Sequence, residues 1–305
     1  MKVGIVIPTY NAEPYIVETL TSISNQTYRD WRSVVVDDGS RDSTPDLSRD
    51  FASRDNRFRC ATGDAKGGAA AREKGFDLLD DCEAILFFDH DDVLRPGALE
   101  RLVITLGDAP ASYGLAAYCD DQLKPLRPGR YESYLRNRIN PYTGQRLHKS
   151  DPTDFATLSV RNLIPIGGIL IRREAKIQAG RFDQTFGYSH DWEMWLRLAL
   201  QGPLNFVDEV VYDYRIHTAS MSHQEDRFGR DDAAVWERFI KDHSLTIERR
   251  RDCLAGFQFA QKEQLRRKQW KAFRRRIRFQ FSEANRILGE AEAYANQFSE
   301  VDLVE

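Results

Sequence analysis

Ala84-Ile85-Leu86-Phe87-Phe88 runs directly into Asp89-His90-Asp91-Asp92. The apolar run predicts a buried strand, and the acids at its end mark where a loop begins. The segments before it repeat this layout. Ala69 to Leu79 reads as a helix, Phe58 to Ala61 as a short strand, and Trp31 to Val36 as a strand that stops at Asp37-Asp38-Gly39-Ser40. Those turn formers lead into a helix from about Thr44, with Ser43 or Thr44 able to cap it. Val3 to Ile7 is a first strand, followed by a helix from about Pro14 to Gln26. Short β-branched runs alternating with helices predict an α/β fold whose mostly parallel sheet is flanked by helices. The polar clusters fall just beyond strand ends, the edge at which open α/β sheets bind ligands.

Downstream, the chain loses periodicity from about Tyr118 to Ile164 and reads as a long functional excursion. Ile166 to Ile171 returns to strand character. Asp191 to Gln201 reads as a helix with Trp192, Trp195, Leu196 and Ala199 on one face, and Val207 to Tyr214 as a further strand. From about Arg227 the sequence is helical throughout. The expected organisation is an α/β half over 1–117, a second half over 118–225, and a helical C-terminal extension over 226–305.

The composition, 41% hydrophobic and 30% charged over 305 residues, is that of a globular protein and excludes fibrous and low-complexity classes. Cys60, Cys82, Cys119 and Cys253 form neither a CxxC pair nor a disulfide framework, which favours a reducing compartment. The apolar run at Met1 to Pro8 is too short for a signal-peptide core, and no run of about 18 uncharged apolar residues exists to span a bilayer. A cytoplasmic protein is expected, with attachment to the inner membrane face left open.

Carboxylates at Asp89, Asp91 and Asp92 suit a hard cation such as Mn2+ or Mg2+, which enters through one or two carboxylates plus substrate phosphates. The bland alternative is a solvated acidic turn capping the next helix. No GxxxxGK[ST] loop is present and no GxGxxG follows the first strand, so neither a P-loop nor the dinucleotide fingerprint applies.

Ile5-Val6-Ile7-Pro8-Thr9-Tyr10-Asn11, Val36-Asp37-Asp38-Gly39-Ser40, Gly67-Gly68-Ala69-Ala70-Ala71-Arg72 and Phe88-Asp89-His90-Asp91-Asp92 occur in that order. Gly167-Gly168, Gly180-Arg181-Phe182-Asp183, His190-Asp191-Trp192-Glu193 and Tyr214-Arg215-Ile216-His217 follow. The ordered set, across roughly residues 3 to 222, resembles the inverting family 2 glycosyltransferases of the GT-A fold. The resemblance implies a nucleotide-sugar donor, UDP-linked for preference, bound by residues 1–117, and a glycan or lipid-linked acceptor, with 118–225 as the acceptor-binding and catalytic half. It places Pro8, Tyr10 and Asp38 around the base, Arg72 near base or diphosphate, and Asp89 at the ribose. Asp91 and His217 are implied at the metal, and Asp191 as the general base. His190, Asp92 and Gly168 are expected either to touch the acceptor or to back the residues that do. The family commonly has Glu-Asp where this chain has His190-Asp191. A nucleotide-sugar sensor without turnover and a sugar nucleotidyltransferase are the competing classes. Intact Asp91, Asp191 and His217 speak against the first, and the lack of a basic phosphate loop after strand one against the second.

Lys262 to Arg278 is dense in Lys and Arg, and an apolar seam continues through Trp270, Phe273, Ile277 and Phe281 to Phe298. Residues 262–298 are therefore expected to dock on an anionic membrane surface or to mediate oligomerisation, with nucleic acid ranked last.

Overall fold

The computed structural model describes residues 1–126, 135–186, 189–217 and 225–277, with the side chains of 225–231, 264 and 266–277 outside that description. Its strands are β1 (Val3–Thr9), β2 (Trp31–Asp37), β3 (Phe58–Thr62), β4 (Ala84–Phe87), β5 (Val93–Leu94), β6 (Ala111–Cys119), β7 (Ile169–Arg172) and β8 (Asn205–Arg215). They form one sheet in the order β3-β2-β1-β4-β7-β6-β8-β5. Pairing is parallel from β3 through β2 and β1 to β4. β7 then runs antiparallel to both β4 and β6, β6 and β8 are parallel, and β5 is antiparallel to β8. The parallel expectation holds for the first four strands, and the sheet as a whole is mixed.

Helices α1 (Ile16–Ser24), α2 (Thr44–Arg54), α3 (Gly68–Asp77) and α4 (Ala98–Leu106) connect the first strands. Later come α5 (Phe155–Leu158), α6 (Arg173–Ala179), α7 (His190–Ala199), α8 (Glu225–Lys241) and α9 (Ile247–Ile277). The α2 cap differs from expectation. Ser43 occupies the cap position without a side-chain bond, and the Thr44 N–H donates instead to Asp42 Oδ1 at 3.0 Å. Ile166–Gly168 is a single 3-10 turn rather than strand, closed by the Gly168 N–H on the Pro165 carbonyl at 3.0 Å. The reason is contact. A Cβ on Gly167 or Gly168 would stand 3.0 or 3.1 Å from the Tyr212 ring, so the chain passes flat against that ring.

α7 is held by its two indoles. Trp192 and Trp195 are fully buried, and their Nε1–H groups donate to the carbonyls of Leu158 and Ile164, each at 2.9 Å. The irregular segment is thereby fastened to the helix. α8 and α9 pack on the same region: Trp236 Nε1 donates to the Ser159 carbonyl at 2.6 Å, and a Cβ on Gly256 would lie 2.1 Å from Ser159 Oγ. The seam from Trp270 to Phe298 lies outside the described side chains. Among the described residues, no helix is long and apolar enough to cross a membrane. All four cysteines are free.

Candidate active site

The ends of β1, β2 and β4 meet along one edge. The Asp38 N–H donates to the Thr9 carbonyl at 2.8 Å, and Asp38 Oδ2 accepts from the Gly67 N–H at 2.6 Å. Gly67 adopts φ +91, a conformation that L side chains rarely take, and from it α3 begins. One residue, through its backbone N–H and its carboxylate, therefore ties two strand ends to a helix start. Its Oδ1 is buried and has no hydrogen-bond partner among the described residues. Pro8 is the penultimate residue of β1, and its carbonyl accepts from His90 Nδ1 at 3.0 Å. Tyr10 stands outward, 55% exposed.

The first turn and a half of α3 delivers Arg72, which is buried. Arg72 Nη2 donates to Asp89 Oδ1 at 2.5 Å, and Nη1 lies 3.5 Å from Nε2 of His190. His190 in turn meets the Phe182 ring edge-on, with centroids 5.7 Å apart. The next residue, Glu73, anchors this arrangement from below. Its buried carboxylate accepts from Lys176 Nζ at 2.9 Å and from the Phe182 N–H at 2.7 Å. Burial pushes the Lys176 ammonium below its ordinary value, against the pull of Glu73.

Beyond β4, Asp91 Oδ2 and His217 Nε2 are 2.9 Å apart, with side chains 18% and 12% exposed. Burial pushes the Asp91 carboxyl up, but the His217 hydrogen bond and the charges of His90 and His217 outweigh it, leaving Asp91 below the ordinary carboxylate value. Tyr15 stacks on His217 at 4.8 Å. Arg215, 3% exposed, organises the loop: its Nε donates to the Asp91 carbonyl at 2.7 Å, its N–H to Asp92 Oδ1 at 2.9 Å, and Nη2 to Glu18 at 2.6 Å. Thr19 Oγ1 donates to the carbonyls of His90 and Asp92, each at 2.8 Å. Asp92 is buried, and burial together with the Asp91 and Asp89 carboxylates pushes its carboxyl well above the ordinary range.

The donor set fits a hard cation. Asp91 Oδ2 and His217 Nε2, 2.9 Å apart, would both be within reach of one such ion. Among the described residues no group of three or more His, Cys, Asp or Glu side chains is gathered as a metal site. Two protein donors would leave the remaining positions to water and phosphate oxygens, the usual habit of such ions beside a diphosphate.

Asp191 does not cap α7. The helix starts one residue earlier at His190, behind Ser189, and Asp191 Oδ1 accepts from the N–H of the adjacent Trp192 at 2.6 Å. Asn162 Nδ2 donates to both carboxylate oxygens, at 3.1 and 3.2 Å. Burial raises the Asp191 carboxyl above its ordinary value; the charge of His190, the Trp192 and Asn162 hydrogen bonds and Arg72 pull the other way. Gly168 lies instead against the Tyr212 ring, whose buried hydroxyl has no partner among the described residues. The structure thus links Asp89, Arg72 and His190 directly, and Asp91 with His217 directly. Asp92 joins them through Arg215. Arg215, Asn162, Tyr15 and Glu73 were not singled out from sequence. Arg215 and Glu73 carried a readable signal, an ionisable residue inside a quoted motif or next to one.

A sequence profile described as glycosyl transferase family 2 matches residues 4–164. Glycosyltransferase GlyG of Streptococcus pneumoniae is 32% identical over 246 residues, 79% of this chain and 80% of that protein. The putative glycosyltransferase EpsH of Bacillus subtilis is 26% identical over 233 residues, covering 72% of this chain and 62% of its own length. Among solved structures, the mannosyltransferase PcManGT of Pyrobaculum calidifontis, in complex with GDP-Man and Mn2+, superposes with a TM-score of 0.66. It is 18% identical, with 98% of this chain and 76% of that one covered. Residues 1-349 of S. aureus TarS, in complex with UDP-GlcNAc, give a TM-score of 0.62 at 16% identity over 86% of this chain and 71% of that one.

Proposed function

We propose, from the premise that the chain belongs to glycosyl transferase family 2 and has the GT-A fold, that it transfers a sugar with inversion from a nucleoside diphosphate sugar to a hydroxyl. The acceptor in this reading is a glycan or lipid-linked glycan, and the donor is UDP-linked. The observation that carries it is the Asp89–Arg72–His190 contact, which brings the proposed ribose contact and the neighbour of the proposed base to one edge of the sheet.

In this reading Asp38, Pro8 and Tyr10 surround the base, and Arg72 and Asp89 hold ribose and diphosphate. Asp191 receives the acceptor's hydroxyl proton as its oxygen bonds to the anomeric carbon. The bond from that carbon to the diphosphate oxygen breaks at the same time, and the nucleoside diphosphate departs with the electron pair. A carboxylate raised above its ordinary value by burial is a stronger base than an exposed one. Asp91 and His217 would hold Mn2+ or Mg2+, which when bound neutralises charge on the leaving diphosphate. Support for donor and metal comes from the ligands with which TarS and PcManGT were solved. A cytoplasmic site of action, with residues 262–298 meeting anionic lipid, belongs to the same proposal and rests on their Lys and Arg density. Cosedimentation of the full chain with anionic vesicles checks that part.

The test of function is release of nucleoside diphosphate from a panel of UDP-sugars and GDP-mannose with Mn2+, comparing wild type, Asp91→Ala and Asp191→Asn. Loss of turnover in both variants is expected; full activity in both overturns the assignment.

A further inference from the structure

We propose that Asn162 is a positioning residue for Asp191: it orients the carboxylate and favours its ionised form, leaving Oδ2 as the oxygen that receives the proton. The proposal rests on the reading of Asp191 as the base.

The orientation of the Asn162 amide is fixed by its other end. Its Oδ1 accepts from the Ile164 N–H at 3.2 Å. A backbone N–H can only donate, so the oxygen must face Ile164, and the NH2 must face Asp191. There it donates to Oδ1 at 3.1 Å and Oδ2 at 3.2 Å. Oδ1 also accepts from the Trp192 N–H, whereas Asn162 is the partner of Oδ2 among the described residues. A group that can only donate favours the charged form of the carboxyl it faces. Asn162 thus opposes the burial that would otherwise hold the proton on Asp191 and spoil it as a base.

The segment is built to keep this contact. Asn162 lies between Leu158 and Ile164, whose carbonyls are held by the indoles of Trp192 and Trp195 on the helix that carries Asp191. Trp236 of α8 holds Ser159 in the same way. Donor and acceptor of the Asn162–Asp191 bond are therefore parts of one rigid unit. The charged groups that face Asp191 are His190 on its own helix and Arg72 from α3, and Asp232 of α8 is bonded to the adjacent Ser189.

The experiment follows the side-chain carboxyl carbon of Asp191 by 13C NMR of aspartate-labelled full-length protein, with Asp191→Asn assigning the resonance. Midpoints are compared between wild type, Asn162→Ala and the isosteric Asn162→Asp. Expected is a rise of about one pH unit in Asn162→Ala, a tenfold change in proton affinity, and a larger rise in Asn162→Asp, where two carboxyls face each other. The acid limb of turnover, measured on whichever donor of the panel above the wild type cleaves, moves with it, and the KM for the donor stays within twofold. Unmoved midpoints in both variants overturn the proposal, and so does a raised donor KM with an unmoved limb. Wild-type turnover in Asp191→Asn instead overturns the reading of the base on which it rests, a failure visible separately from the titration.

Discussion

The guanidinium of Arg72 joins Asp89 and His190, residues 101 positions apart in the chain, with 2.5 Å to Asp89 Oδ1 and 3.5 Å to His190 Nε2. One buried cation thereby couples the end of β4 to the start of α7. Replacing it with alanine leaves Asp89 without its charge-assisted bond and opens the proposed nucleotide edge. Such bonds contribute about 1.5–3 kcal/mol, so Arg72→Ala is expected to lower kcat/KM for the donor about 10- to 100-fold. Arg72→Lys should recover only part of this, since an ammonium does not span both partners. Steady-state kinetics on the cleaved donor checks both.

Asp91 and His217 make a separate prediction about metal. Chelation with EDTA should abolish turnover and Mn2+ should restore it. His217→Ala should need at least tenfold more Mn2+ for half-maximal rate, and Asp91→Ala should not respond at any practical concentration. Equal Mn2+ requirements in wild type and His217→Ala would remove His217 from the proposed metal site.

The raised carboxyl of Asp191 links function to stability. A carboxyl that binds its proton more tightly when folded contributes stability at acid pH, and that contribution falls as pH rises from the ordinary carboxylate value through the raised one. Above that window the ionised group costs stability. Asp191→Asn should therefore melt at the same temperature as wild type or about 2 °C or more above it at pH 7.5, with the advantage gone below about pH 4. Turnover runs the opposite way: the wild-type acid limb should lie above the ordinary carboxylate range. Thermal melts across pH and a kcat profile provide the check.

The close approach of α9 to Ser159 makes a packing prediction. A Cβ at Gly256 would stand 2.1 Å from Ser159 Oγ and 2.7 Å from the Ser159 carbonyl carbon, and the latter is backbone that cannot swing aside. Overpacking of this kind costs about 1–3 kcal/mol. Gly256→Ala should lower the melting temperature by several degrees, while Gly202→Ala, whose Cβ would have 3.5 Å to Pro110, should change it little.

Legibility followed the locality of the physics. β2 and β4 are short apolar runs closed by turn-forming acids, so Asp38, Asp89 and Asp91 could be placed at strand ends from spacing alone. β6 could not be seen. Ala111–Cys119 is buried on both faces and rich in small residues because β8 and its Val211 press against Gly114, and such a strand shows no alternation. The helix expected from Asp191 starts one residue sooner, at His190, a boundary that no local residue signals. Asn162 was out of reach for a different reason. Its meaning comes from a partner 29 residues away, reached from a segment without periodicity that the indoles of α7 and α8 fasten in place.

The central claim is that Asp191 takes the acceptor proton during sugar transfer, and one comparison tests it most directly. Turnover and donor affinity are measured side by side for wild type and Asp191→Asn, with the cleaved UDP-sugar and Mn2+ at the pH of the wild-type plateau. The expected result is a fall in kcat of about 1,000-fold or more, in the range that loss of a general base removes, with the donor bound as tightly as before. A variant that retains kcat within a few fold of wild type would contradict the account.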